Sequence, residues 1–171
     1  MCIIIDTNCF ANVFNKTSAR HNEFVPVLKW IISGKGKVVY GGTKYIEELK
    51  KASKYMKIFS LMNMYNCAIH IEDQQVDHEQ VYFETNIVDP NFDDPHLMAI
   101  VLTSGCRLIC SEDDRSIPFV TNTRLYPRRI SKPKYYKGLR QVQILCDNNI
   151  PPRYRPLCIR RNGHSPLDVL V

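Results

Sequence analysis

Long hydrophobic runs are absent from this sequence. No stretch approaches the roughly 18 apolar residues of a membrane-spanning helix. The opening segment Met1–Asp6 lacks a basic leading region and reaches an acid after a short apolar run, which is unlike a secretory signal. These absences predict a protein that neither spans a membrane nor is exported, and its expected location is the cytoplasm.

Paired cysteines are also absent. The seven cysteines are odd in number and include no CxxC pair, whereas disulfide frameworks and zinc sites are usually built from such pairs. The pattern predicts small, mostly buried thiols in a reducing compartment, with a zinc site as the alternative. They are Cys2, Cys9, Cys67, Cys106, Cys110, Cys146 and Cys158.

Acidic residues are scarce in the C-terminal third of the chain. Residues 120–171 carry eleven Lys and Arg against two acids, a balance of +9, whereas residues 1–119 have a balance of −3. A length of 171 residues suits one compact domain with a short appendage. We therefore expect a domain over residues 1–150 and a basic, proline-containing, extended arm over residues 151–171. Such a basic stretch is typical of nucleic-acid binding, with solvated surface as the alternative.

Short apolar runs alternate with longer amphipathic stretches. The pattern predicts strands at residues 3–5, 37–40, 68–71 and 107–110. It predicts helices at residues 7–13, 23–32, 43–65, 75–83, 94–105 and, more weakly, 135–144. This order indicates an α/β fold with a mainly parallel sheet. Ligands of such sheets bind beyond the carboxyl ends of the strands.

Four acids are placed to meet at that edge. Asp6 follows the first strand and Asp113 the fourth, while Glu48 and Asp94 lie near the starts of two helices. Carboxylates packed together would raise each other's pKa unless a cation compensates them. Oxygen ligands without paired His or Cys suit Mg²⁺ or Mn²⁺. The alternative is that these acids cap helices or lie in solvated turns.

Four segments containing these acids resemble the PIN-domain family. Ile3–Asn8 resembles its opening strand with Asp-Thr-Asn, and Tyr45–Leu49 its helical acid before a leucine. Asp93–Ile100 resembles its acid at the start of an apolar helix, and Leu108–Asp113 its last strand ending in Ser-x-Asp. All four occur in family order, and the resemblance covers roughly residues 1–130. It implies a three-layer α/β/α domain with a mainly parallel central sheet.

The resemblance also implies an activity, that of a metal-dependent endoribonuclease. Asp6, Glu48, Asp94 and Asp113 would be its catalytic, metal-binding acids, and Asn8 and Ser111 would orient ligands or water. A water activated by Mg²⁺ or Mn²⁺ would attack an RNA phosphodiester and leave a 5′-phosphate and a 3′-hydroxyl.

Neighbouring acids compete for three of these roles. The competitors are Glu47, Asp93 and Asp114. We favour Glu48 because it directly precedes Leu49, Asp94 because the apolar helix keeps the family offset from there, and Asp113 because of the Ser-x-Asp spacing. His96 is a weaker candidate for touching substrate.

The sequence constrains the substrate and the partners less than it constrains the site residues. Single-stranded or structured RNA is the expected substrate. The alternatives are a DNA-directed or structure-specific nuclease on the same fold, and a non-catalytic nucleic-acid-binding module. The role of a toxin with a protein antitoxin, a defence effector or a processing enzyme stays open, as does a homodimer. Two basic stretches are candidates for contacting nucleic acid: Lys50, Lys51, Lys54 and Lys57, and residues 132–140 with Tyr135 and Tyr136.

Overall fold

A five-stranded sheet forms the centre of the molecule. The computed structural model of the chain describes residues 2–146 and Tyr154. The strands are β1 (Cys2–Ile5), β2 (Lys37–Gly41), β3 (Ala68–Ile71), β4 (Leu108–Cys110) and β5 (Lys134–Tyr136). Their order is β3-β2-β1-β4-β5, and every neighbouring pair is parallel. Helices flank this sheet, so the predicted α/β fold with a three-layer α/β/α arrangement is confirmed.

The helices largely follow the predicted pattern. In the described part of the chain they are α1 (Phe10–Phe14), α2 (His21–Ile32), α3 (Thr43–Lys51), α4 (Met56–Met64), α5 (Asp73–Asn86), α6 (Pro95–Ser104) and α7 (Ile117–Val120). 3-10 helices lie at Thr7–Cys9, Ser53–Tyr55, Thr123–Leu125 and Leu139–Ile144. Helix α6 ends at Gly105, which adopts the left-handed conformation with φ 67°, as the glycine position predicts.

The apolar runs become buried strands. All four residues of β1 are fully buried, and β2 and β4 are buried along their whole length. Helices cover both faces of a parallel sheet, so the central strands of the sheet need apolar side chains on both faces. This explains why the strand sequences read as continuous apolar runs instead of alternating ones.

The single helix predicted over residues 43–65 is wrong. Two helices, α3 and α4, replace it, and the chain leaves the helical conformation at Ala52, with φ −91° and ψ 47°. Leu49 and Tyr55 are both buried, yet a six-residue step turns an unbroken helix by roughly 240°. The break realigns the chain so that the Tyr55 ring packs 5.4 Å from Phe10 and 5.9 Å from Phe14.

The predicted helix over residues 135–144 is also wrong. The segment begins inside β5, where Tyr135 and Tyr136 pair with Ile109 and Cys110 of β4. A 3-10 turn at Leu139–Ile144 then follows. Tyrosines fit a half-buried sheet surface, so the two rings favour the strand. Helix α7 is absent from the sequence-based prediction.

The start of α3 is fixed by another helix. Thr43 is the first helical residue, and its N–H and hydroxyl donate to Asp77 of α5 at 2.7 and 2.5 Å. The N–H of Gly42 donates to Asp73 at 2.9 Å. Gly42 has φ +87°, and a Cβ there would lie 2.6 Å from the Val76 side chain, so only glycine fits. These contacts set the position from which Glu48 reaches the sheet edge.

Three further expectations concern the thiols, the membrane and the arm. Five of the six cysteines among residues 2–146 are buried, Cys146 is exposed, and no disulfide joins any two of these six. None of the described helices has the length and apolar character to cross a bilayer. The predicted arm over residues 151–171, with Cys158, lies outside the described residues except for Tyr154, whose hydroxyl donates to the Ser104 carbonyl at 2.8 Å.

Candidate active site

The candidate site lies where the strand order changes direction. From β1 the chain adds β2 and β3 on one side and β4 and β5 on the other. The carboxyl ends of β1 and β4 therefore flank the switch point, the usual ligand crevice of such sheets. Asp6 lies there, and its N–H donates to the Cys110 carbonyl at 2.9 Å. Ser111 and Asp113 follow on β4's side of the same crevice.

Asp6 is held firmly in this crevice. The residue is only 5% exposed, and one carboxylate oxygen accepts hydrogen bonds from the Ser111 hydroxyl at 2.7 Å and the Asn8 amide at 2.8 Å. Burial raises the pKa of Asp6, opposed by the bond from Ser111. Asn8 and Ser111, predicted to orient the site, thus contact Asp6 directly.

Glu48 approaches Asp6 from α3. The Thr7 hydroxyl donates to the Glu48 carboxylate at 2.9 Å, and the Lys44 ammonium lies 3.6 Å from its other oxygen. Its negative charge contributes to the raised pKa of Asp6. Glu47, the competitor, is an exposed residue of the same helix. The structure therefore places Glu48, and not Glu47, among the clustered acids.

Asp94 adds a carboxylate from the N-terminus of α6. The pKa of Asp94 is raised to about 7, chiefly by burial. The negative charges of nearby acids contribute to this rise, and they belong to Asp6, Asp93, Asp113 and Glu48. The four predicted acids and Asp93 thus lie within electrostatic reach of one another.

The tightest group of acids includes a residue that we did not favour. Oxygens of Asp93, Asp94 and Asp113 lie within 4.8 Å of one another. The Arg115 guanidinium bridges two of them, 2.7 Å from Asp113 and 3.0 Å from Asp93. This contact holds the pKa of Asp113 below its usual range. Asp114, by contrast, is 74% exposed and pairs with Lys137.

Sequence reasoning missed Arg115, gave Thr7 no role of its own and ranked Asp93 behind Asp94. Arg115 and Asp93 owe their contact to loop geometry, and Thr7 was noted only as part of a motif. A signal did exist for Arg115, because a base two residues after an acid at a strand end can fold back onto it. The N–H of Arg115 donates to Asp113 at 2.9 Å, which closes such a turn.

His96 is an unusual group beside the acids. It is 1% exposed, and neither ring nitrogen has a hydrogen-bond partner among the described residues. Its Nε2 lies 3.9 Å from the Glu48 carboxylate, too far for a direct hydrogen bond. Burial lowers the pKa of His96 to about 4, so the ring is neutral at pH 7. Two buried polar atoms therefore lie unpaired next to the acidic crevice.

Replacing His96 by leucine should stabilise the metal-free protein. An unpaired buried polar group costs about 1–3 kcal/mol, and an apolar side chain of similar size removes that penalty. We expect His96→Leu to raise the free energy of unfolding by about 1 kcal/mol in EDTA at pH 7, measured by urea denaturation. The exposed His78 gives the matched control, His78→Leu, with little expected change. A loss of stability in His96→Leu would show that the ring has a partner.

The cluster is chemically suited to a hard divalent cation. Its ligand atoms are carboxylate oxygens, the donors that Mg²⁺ and Mn²⁺ prefer. Arg115 and Lys44 supply positive charge beside these acids, and the pKa of Asp94 is raised to about 7 by burial and then by the charges of its acidic neighbours. Comparison of the chain with protein-family models, curated proteins and solved structures finds no match in any of the three. The function is therefore inferred from the site.

Proposed function

We propose that this chain is a metal-dependent endoribonuclease of the PIN-domain kind, with Mg²⁺ or Mn²⁺ bound by Asp6, Glu48, Asp94 and Asp113. One observation carries the proposal. Acids from four separate segments of the chain converge at the switch point of a parallel sheet, where burial and then the charges of the neighbouring acids raise the pKa of Asp94. Helix capping or solvated turns would not require such convergence, because each acid could then satisfy its role alone.

Each neighbouring side chain has a definable task in this proposal. Ser111 and Asn8 fix the orientation of Asp6, and the Thr7 hydroxyl fixes that of Glu48. Asp94 lies at the N-terminus of α6, where the positive end of the helix dipole favours an incoming phosphate. A bound cation would supply Lewis acidity to the phosphodiester and a hydroxide at neutral pH. Asp93 stands close enough to assist in holding it.

Cleavage of labelled RNA tests the proposal. A single-stranded oligoribonucleotide incubated with the full chain and Mn²⁺ should give fragments with 5′-phosphate and 3′-hydroxyl ends, and EDTA should abolish the reaction. Undiminished cleavage in EDTA, or 2′,3′-cyclic phosphate ends, would contradict a metal-bound site. A DNA strand of the same sequence, run in parallel, decides between the RNA-directed enzyme and its DNA-directed alternative.

A further inference from the structure

A basic depression lies outside the acidic crevice, between α7 and β5. It is open to solvent and has a volume of about 570 Å³. From Arg115 to Cys146 the chain contains eight Lys and Arg and no acid, and the depression takes its lining from the middle of this stretch. The lining residues are Thr123, Arg124, Tyr126, Pro127, Arg128, Arg129, Ile130 and Lys132.

Most of the positive charge in this depression is uncompensated. Arg128 is anchored, since it donates to the Leu102 carbonyl at 3.3 Å and lies 3.4 Å from Glu79. Arg124, Arg129 and Lys132 are exposed, and their side chains have no acidic partner within residues 2–146. A concave surface lined by one sign of charge concentrates ligands of the opposite sign.

The lining favours a phosphate backbone over a protein partner. Protein interfaces depend on a buried apolar or aromatic centre, yet none of the exposed large hydrophobic residues among residues 2–146 lies here. Tyr126 is buried, and its hydroxyl donates to Val120. Arginine offers a planar fork of donors that matches phosphate oxygens.

Helix α6 sets the distance between this depression and the acids. Leu102, which anchors Arg128, lies eight residues after Asp94, or roughly 12 Å along the helix axis. Successive phosphates of a single strand lie several ångströms apart, so this distance corresponds to a few nucleotides. The acidic crevice repels a phosphate backbone until a cation binds, so the strand needs a basic anchor beyond it.

We infer that this depression binds the sugar–phosphate backbone of the substrate strand a few nucleotides from the scissile phosphate. The inference rests on the proposed function for the identity of the strand. It assigns Arg124, Arg129 and Lys132 to the binding of flanking phosphates. These residues would confer affinity without sequence preference, because phosphate contacts carry no base information.

Binding of a single-stranded oligoribonucleotide tests the inference. The test variant is Arg124→Gln/Arg129→Gln/Lys132→Gln. Its matched control is Lys16→Gln/Lys29→Gln/Lys35→Gln, which removes the same charge from exposed positions elsewhere. All are made in full-length Asp6→Asn protein and titrated at several KCl concentrations by fluorescence anisotropy. The test variant should lose at least about tenfold in affinity, and its log–log salt slope should fall by about 2, at 0.7 per lost phosphate contact.

A second substrate separates this inference from the proposed function. With Asp6 intact, bis(p-nitrophenyl) phosphate carries no flanking phosphates, so the test variant should hydrolyse it in Mn²⁺ at the rate of the unaltered protein. Equal RNA affinities and salt slopes in the test and control variants would overturn the inference. An acidic protein would then be the partner that fits the depression. A different result would overturn the proposed function alone. In that case the test variant binds RNA more weakly than the control variant, but the unaltered protein hydrolyses neither substrate.

Discussion

Asp6→Asn should abolish RNA cleavage while leaving the fold intact. The amide keeps the size of the carboxylate and can still accept a hydrogen bond from Ser111, but it loses the charge that would hold the cation. Metal-ion stabilisation of a phosphoryl transition state is worth several kcal/mol, and 1.36 kcal/mol is a tenfold change in rate. We therefore expect kcat/KM to fall about 1000-fold or more, measured with labelled RNA in saturating Mn²⁺.

Neighbouring acids provide internal controls for this result. Glu48→Gln should be as damaging as Asp6→Asn, whereas Glu47→Gln changes an exposed residue and should retain activity. Asp114→Asn should likewise retain activity, because Asp114 is exposed and paired with Lys137. Circular dichroism of each variant checks that the fold is preserved. Near-normal cleavage by folded Asp6→Asn would refute the site.

Asp94→Asn should stabilise the metal-free protein, and increasingly so as the pH rises. The pKa of Asp94 is raised from 3.8 to about 7 in the folded protein. Between these values the folded state holds a proton that the unfolded state has lost, so the Asp94 contribution to the free energy of unfolding falls as the pH rises from about 4 to 7. Asn does not titrate. With a discount for the partial exposure of the carboxyl, we expect a difference of about 2 kcal/mol at pH 7.

Comparison with wild type separates the contribution of Asp94 to the free energy of unfolding from the opposing contribution of His96. Burial lowers the pKa of His96 to about 4, so its contribution to stability rises with pH over much of the same range. Subtracting the wild-type curve from the Asp94→Asn curve, both from urea denaturation in EDTA at pH 4 to 8, cancels the His96 contribution. A flat difference curve would contradict the raised pKa of Asp94.

Added Mn²⁺ should make wild type more stable than Asp94→Asn, the reverse of their order in EDTA. A cation that binds only the folded state at about 100 times its Kd adds about 2.7 kcal/mol to the free energy of unfolding. Wild type should gain that stabilisation at pH 7, and Asp94→Asn should lose most of it. Equal gains in both proteins would place the cation elsewhere.

The sequence was sufficient to predict features that depend on local pattern. The run Ile3–Ile5 is a buried strand because its β-branched side chains fit a sheet covered on both faces. Pro95 and Gly105 bracket α6 by their backbone preferences. Once these elements are fixed, the parallel topology brings Asp6 and Asp113 to the same edge.

Features that depend on tertiary contacts could not be predicted in this way. The break at Ala52 follows from the packing of Tyr55 against Phe10, a residue 45 positions earlier in the chain. Strand β5 has three residues and forms by pairing with β4, too short for a periodic pattern. The ion pair of Arg115 with Asp93 spans 22 positions and depends on how two loops meet.

A Mn²⁺-soaked crystal, with anomalous diffraction recorded at the manganese edge, tests the central claim most directly. We predict an ion in the crevice between β1 and β4, within about 2.0–2.6 Å of carboxylate oxygens, as is usual for hard divalent cations. Asp6, Asp94 and Asp113 should surround it, with Glu48 bound directly or through water. An ion held by Asp93 and Asp113 alone, or a crevice without anomalous signal at saturating Mn²⁺, would contradict the four-acid site.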